Sequence, residues 1–93
     1  MAKLTTPADL DRAVLGVLSQ LPNEMTYVIR NMLDMAGYYG HRPKRVESSQ
    51  VRQSCRRLEK KGYAKEVPSI YMRQKCWAIT DAGLRALSEH KGE

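Results

Sequence analysis

The sequence predicts a mostly α-helical domain: a three-helix core, a small β-hairpin or sheet of two or three strands, and a short closing helix. Three observations predict it. Apolar residues recur at helical spacing in three successive segments before Gly62. Two short stretches after it, Tyr63–Val67 and Lys75–Thr80, carry β-branched and aromatic residues on a two-residue period. Pro22, Gly37 and Gly62 stand where each helical pattern stops. With 93 residues, 42% hydrophobic and 28% charged, the chain can build one globular core and little else, so residues 1–93 read as one domain with an ordered core over about residues 6–88.

The first helix spans residues 7–20. Thr6 can cap it, and Pro7 is tolerated at the first helical position. Asp9 and Asp11 fall in the first turn, where negative charge complements the helix dipole, and solvation explains them there. Leu10, Ala13, Val14, Val17, Leu18 and Leu21 form its apolar stripe, which in so short a chain is core rather than a dimer seam. Met25-Thr26 adds a short extended piece, with Thr26 capping a second helix. That helix buries Val28, Ile29, Met32, Leu33 and Ala36 and ends at Gly37. Met25, Met32 and Met35 read as gap-filling core.

Residues 37–47 are rich in turn formers and carry Arg42, Lys44 and Arg45 within four positions. Such a loop either lays these cations on phosphates or is simply solvated, with Tyr38 or Tyr39 tucked against the core.

The third helix, residues 48–61, is the stretch around which the chain is organised. Ser48 and Ser49 suit its start and Gly62 its end. Val51, Cys55 and Leu58 make a narrow apolar back, and Gln50, Arg52, Gln53, Arg56, Arg57 and Lys60 occupy the front. Arg and Gln can make paired hydrogen bonds to base edges, and each cation can also meet phosphate. An ordinary solvated amphipathic helix would show the same pattern, so the stretch alone does not separate the two.

In the hairpin, Tyr63, Val67, Trp77 and Ile79 are expected on one face. Pro68–Gln74 forms its tip, where Ile70, Tyr71 and Met72 are unexpectedly apolar and stand out as a partner contact. Thr80 caps a closing helix that packs Leu84 and Leu87.

Charge placement says more than its net value of +6. Residues 41–77 hold eleven Lys/Arg against three Asp/Glu, an excess of +8, while each flank carries −1. A basic segment so concentrated favours a polyanionic partner, and without a long apolar face beside it nucleic acid is favoured over membrane. No run approaches a membrane span and the N-terminus lacks an export signal, so a cytoplasmic, nucleoid-associated protein with Cys55 and Cys76 as free thiols is expected.

Catalysis is not expected. Asp9, Asp11, Glu24 and Asp34 are scattered rather than convergent. Cys55, Cys76, His41 and His90 lack close ligand spacing, which leaves no metal site, and Gly37-Tyr38-Tyr39-Gly40 lacks the Lys-Ser/Thr of a phosphate loop. No cofactor is expected.

Two motifs carry a resemblance. Arg57-Leu58-Glu59-Lys60-Lys61-Gly62-Tyr63 resembles the R-L-E-x-x-G junction from recognition helix into wing, and Trp77-Ala78-Ile79-Thr80-Asp81-Ala82-Gly83 resembles the L-T-x-x-G junction from wing into closing helix. Together, about twenty residues apart, they make the chain similar over roughly residues 10–88 to the winged helix-turn-helix domain of bacterial transcription regulators, the MarR-like and PadR-like groups in particular. The resemblance implies a third helix in the major groove, reading bases through Ser49, Gln50, Arg52, Gln53 and Arg56. It implies backbone contacts from Arg42, Lys44, Arg45, Ser48, Arg57 and Lys60, and from Arg73, Gln74 and Lys75 in the wing. The residue 37–47 loop is longer than the family's tight turn, and the long helices that build the family's dimer and ligand pocket have no counterpart. No small-molecule ligand is therefore expected, and a homodimer is left open. The expected function is sequence-specific double-stranded DNA binding by a small, repressor-like regulator. A winged-helix protein-interaction module, an RNA or other polyanion binder, and a DNA-binding component of replication, recombination or phage control stand as alternatives.

Overall fold

The computed structural model describes residues 6–20, 23–37, 46–68 and 75–91. In chain order it contains α1 (Pro7–Gln20), β1 (Glu24–Met25), α2 (Thr26–Met35), α3 (Ser48–Lys60), β2 (Ala64–Val67), β3 (Cys76–Ile79) and α4 (Asp81–Lys91). Leu21, the cations Arg42, Lys44 and Arg45, both loop tyrosines, and Ile70, Tyr71, Met72, Arg73 and Gln74 lie outside the described residues.

α1 begins as expected, with the Thr6 hydroxyl accepting the Asp9 N–H at 3.1 Å. Leu10, Val14 and Leu18 are buried, and Leu15 joins them because α1 also packs against α4. The second helix departs from expectation at both ends. Met25 is its N-cap and Thr26 its first residue. The Thr26 hydroxyl accepts the indole N–H of Trp77 at 3.0 Å instead of capping, because β1 lies beside β3 and brings the two side chains together. At the other end Met35 is 80% exposed and Ala36, the C-cap, is exposed. Only Ile29 and Leu33 are fully covered, since α2 meets its neighbours along one narrow line.

α3 starts at Ser48 as expected, but its cap is Glu47 rather than a serine. Val46 is buried and anchors the approach, and Glu47 takes the N-cap, its N–H donating to Gln50 Oε1 at 2.8 Å. Val51, Cys55 and Leu58 are buried as expected, with Ser54 beside them. At the far end Gly62 adopts φ +80°, the left-handed conformation a side chain disfavours. There the Tyr63 N–H reaches Leu58 O at 2.9 Å and the Gly62 N–H reaches Glu59 O at 3.0 Å, satisfying the last carbonyls of the helix.

The sheet is three-stranded and antiparallel, in the order β1-β3-β2. Its register pairs Glu66 with Trp77 and Val67 with Cys76. Paired residues share a face, so Val67 lies on the side opposite Trp77 and Ile79, contrary to the expected single face. The two-residue period fixes the faces within each strand, but the register between β2 and β3 is a separate matter, and it sets Glu66 rather than Val67 beside Trp77.

Thr80 joins the two junction motifs physically. Its hydroxyl donates to Gly62 O at 2.6 Å and accepts the Gly83 N–H at 3.0 Å, while its own N–H donates to Tyr63 O at 3.0 Å. Leu87 packs into the core, but Leu84 is 45% exposed, because α4 presents its other face to α1.

Candidate nucleic-acid interface

α3 packs one stripe on α1, α2 and the wing and leaves the rest of its surface outward. Arg52, Gln53, Arg56, Arg57 and Lys60 follow one another at i, i+1, i+4, i+5 and i+8, which is one helix face. With Lys75, immediately before β3, they line one open groove of about 580 Å³. Three expected backbone contacts, Arg57, Lys60 and Lys75, and three expected readers, Arg52, Gln53 and Arg56, are thus brought together.

The six side chains are not equally available. Among the described residues, Arg52, Gln53 and Lys60 make no side-chain hydrogen bond or ion pair. Arg57 is held by Asp11 of α1, its Nε reaching both carboxylate oxygens at 3.1 and 3.0 Å and Nη2 reaching Oδ1 at 2.7 Å. That hydrogen bonding pushes the Arg57 guanidinium further above its usual range. Asp11 is buried and also accepts the Ser54 hydroxyl at 2.6 Å, so it is not solvated, and it lies beyond the first turn of α1, where only Asp9 stands as a dipole partner. A signal for this existed. Asp11 stands four and seven residues before Leu15 and Leu18, on the buried stripe, and Ser54 stands three after Val51 on the core side of α3.

Arg56 is likewise engaged. It pairs with Glu59 at 2.9 Å and with Glu66 of β2 at 3.1 Å, and its guanidinium lies 4.9 Å from the centroid of the Trp77 ring. The hydrogen bond to Glu59 is the main cause of its raised pKa. Lys75 also reaches Glu66, at 3.4 Å. At the start of α3, Gln50 spends its side-chain oxygen on the Glu47 N–H, and Ser48 and Ser49 stand beside the Glu47 carboxylate, which competes with a phosphate for the first amides of the helix.

Among the described residues, the remaining titratable groups give no second centre. Cys55 is fully buried and its thiol is pushed up to about 12, chiefly by burial and secondarily by Asp11. Cys55 and Cys76 are both free thiols. Among the described residues no group of three His, Cys, Asp or Glu side chains could hold a metal ion, and no helix is long and apolar enough to cross a membrane.

No protein-family model and no curated protein sequence matches the chain. Solved structures do. A transcriptional regulator from Clostridium thermocellum superposes with a TM-score of 0.72 at 20% identity, over 91% of this chain and 79% of that one. A PadR family transcription regulator from Clostridium difficile gives 0.71 at 17%, over 89% and 83%. Streptococcus pneumoniae FabT in complex with DNA gives 0.68 at 22%, over 87% of this chain and 50% of FabT.

The fold is a winged helix-turn-helix.

Its helix-turn-helix is α2 and α3, and its wing is β2 and β3. The groove of Arg52, Gln53, Lys60 and Lys75 therefore lies between α3 and the base of the wing. The two junction motifs fall at the end of α3 and at the start of α4.

Proposed function

We propose that this chain binds double-stranded DNA as the reading domain of a small transcription regulator, with α3 in the major groove and the wing on the flanking backbone. The observation that carries the proposal is the groove itself. It joins side chains able to read bases, Arg52 and Gln53, to cations able to hold phosphate, Lys60 and Lys75. The dimensions agree. A helix of 13 residues is about 20 Å long and, with its side chains, about 10–12 Å across, close to the roughly 12 Å width of the major groove.

In this reading Arg52, Gln53 and Ser49 face base edges, and Gln50 and Arg56 join them where their present partners yield. Lys60, Lys75, Ser48 and, through its remaining exposure, Arg57 hold the backbone. Arg42, Lys44 and Arg45 before the helix and Arg73 and Gln74 in the wing extend the contact. The regulator is repressor-like, acts in the cytoplasm at the nucleoid, and needs neither cofactor nor small-molecule ligand. On a palindromic site a homodimer sets two recognition helices about 34 Å apart.

The test is fluorescence anisotropy with random-sequence duplex DNA across a salt series. A log–log slope of about −4 to −6, corresponding to five or six phosphate contacts, supports the proposal. Absence of binding at low salt removes it and makes the basic helix a protein-docking face.

A further inference from the structure

Glu66 projects from β2 toward the cations of the groove. It is the one carboxylate there supplied by the wing among the described residues, and it meets two of them, Arg56 Nη2 at 3.1 Å and Lys75 Nζ at 3.4 Å. Its position follows from the register that sets it opposite Trp77, on the face that looks at α3, with Arg56 lying over the Trp77 ring. All three side chains of this cluster are about two-fifths exposed, Glu66 at 37%, Arg56 at 41% and Lys75 at 42%. Pairs so accessible to water are weak and exchange partners readily.

A phosphate arriving between α3 and the wing meets the same two cations, and it also meets the negative charge that now occupies them. Resting on the DNA reading above, we propose that Glu66 is an affinity-setting residue of this interface. It is a built-in competitor for the backbone phosphate that lowers affinity for arbitrary DNA. Sites at which Arg52 and Gln53 make base contacts recover what the displaced pairs give up; other sites do not. Because the same pairs are displaced at every site, the absolute affinity falls everywhere, and a larger share of any stable binding must come from base contacts. Arg57 gives a different case, because its carboxylate partner is buried in the core and is not displaced.

The experiment compares the full chain with its Glu66→Gln variant on random-sequence 20-base-pair duplex DNA across a salt series. Glu89→Gln, on α4 and outside the groove, controls for the same change in net charge. Gln keeps the size of the side chain at an exposed site, and circular dichroism melts establish that all three proteins are equally folded. The expected result is tighter binding by Glu66→Gln, about threefold or more near physiological salt, with a slope steeper by about one because a further phosphate contact is gained. Glu89→Gln stays within twofold of the parent. Equal or weaker binding by Glu66→Gln with an unchanged slope overturns the inference while leaving the DNA reading in place. Equal gains in both variants also overturn it, since the effect is then net charge alone. No binding by any of the three overturns both.

Discussion

Arg57 of α3 grips Asp11 of α1 through three contacts of 2.7 to 3.1 Å, and the same carboxylate accepts the Ser54 hydroxyl at 2.6 Å. This cluster fixes the rotation of α3 about its own axis, because Ser54 and Arg57 lie three residues apart on the flank facing α1. The front bearing Arg52, Gln53 and Lys60 is aimed by that rotation. A buried carboxylate without its cation is costly, so Arg57→Ala should lower stability by about 2–3 kcal/mol, below the range for a fully buried pair because Arg57 is 36% exposed. Urea unfolding checks this. A loss under about 0.5 kcal/mol would show the pair to be an ordinary surface contact.

Gly83 leaves no room for a side chain. A Cβ there would overlap the Tyr63 carbonyl oxygen and stand 2.8 Å from Ile79 Cγ1. Since Tyr63 O also takes the Thr80 N–H, the backbone cannot retreat without breaking the junction of wing and α4. Gly83→Ala should therefore cost about 2–3 kcal/mol despite the better helix propensity of Ala. A thermal melt decides, and an unchanged or raised Tm would refute the close approach.

Arg52, Gln53 and Lys60 should separate by role. After selection of a preferred duplex, Arg52→Ala or Gln53→Ala should lose about 1–3 kcal/mol and relax one base position. Lys60→Ala should weaken all sequences alike and flatten the log–log salt slope by about one. Uniform weakening by all three variants would deny α3 a reading role.

Trp77 is the only Trp of the chain, fully buried, with the Arg56 guanidinium over its ring. Arg56→Ala should shift its emission to the red as water replaces the guanidinium over the ring. Emission identical to the parent would mean that Arg56 does not lie over the ring in solution.

Cys55 gives an alkaline signature. Its folded pKa of about 12 lies above its ordinary 9.0, so the folded state holds the proton more tightly. The corresponding stability is complete below pH 9 and is lost as pH rises from 9 toward 12. Between pH 8 and pH 10 the unfolding free energy of the parent should fall more than that of Cys55→Ala, by about 1 kcal/mol, with other alkaline titrations common to both proteins. Parallel pH dependences would place the thiol in water.

The sequence by itself determined the element order, the helix boundaries set by Thr6, Thr80 and Gly62, the apolar backs of α1 and α3, and the basic front of the third helix. These are local matters. Helical period, cap chemistry and the left-handed turn of a glycine are written within a few residues of each other. It also contained the two junction motifs, although only the structure brings Gly62, Thr80 and Gly83 into contact to make them one joint.

The tertiary structure decided which polar residues are spoken for. Asp11 and Arg57 are 46 positions apart, Thr26 and Trp77 are 51 apart, and Arg56 meets Glu66 across the gap between helix and wing. The strand register likewise moved Val67 to the other face of the sheet and set Glu66 at the groove. Charge composition counts every cation equally, whereas a groove does not. Burial and pairing distinguish Arg52 and Lys60, whose side chains make no pair among the described residues, from Arg56, held by Glu59 and by Glu66 of the wing, and from Arg57, held by Asp11 far back in the chain. A periodic pattern along one helix carries no information about what another element will place against it, which is why the availability of each cation could be known only after folding.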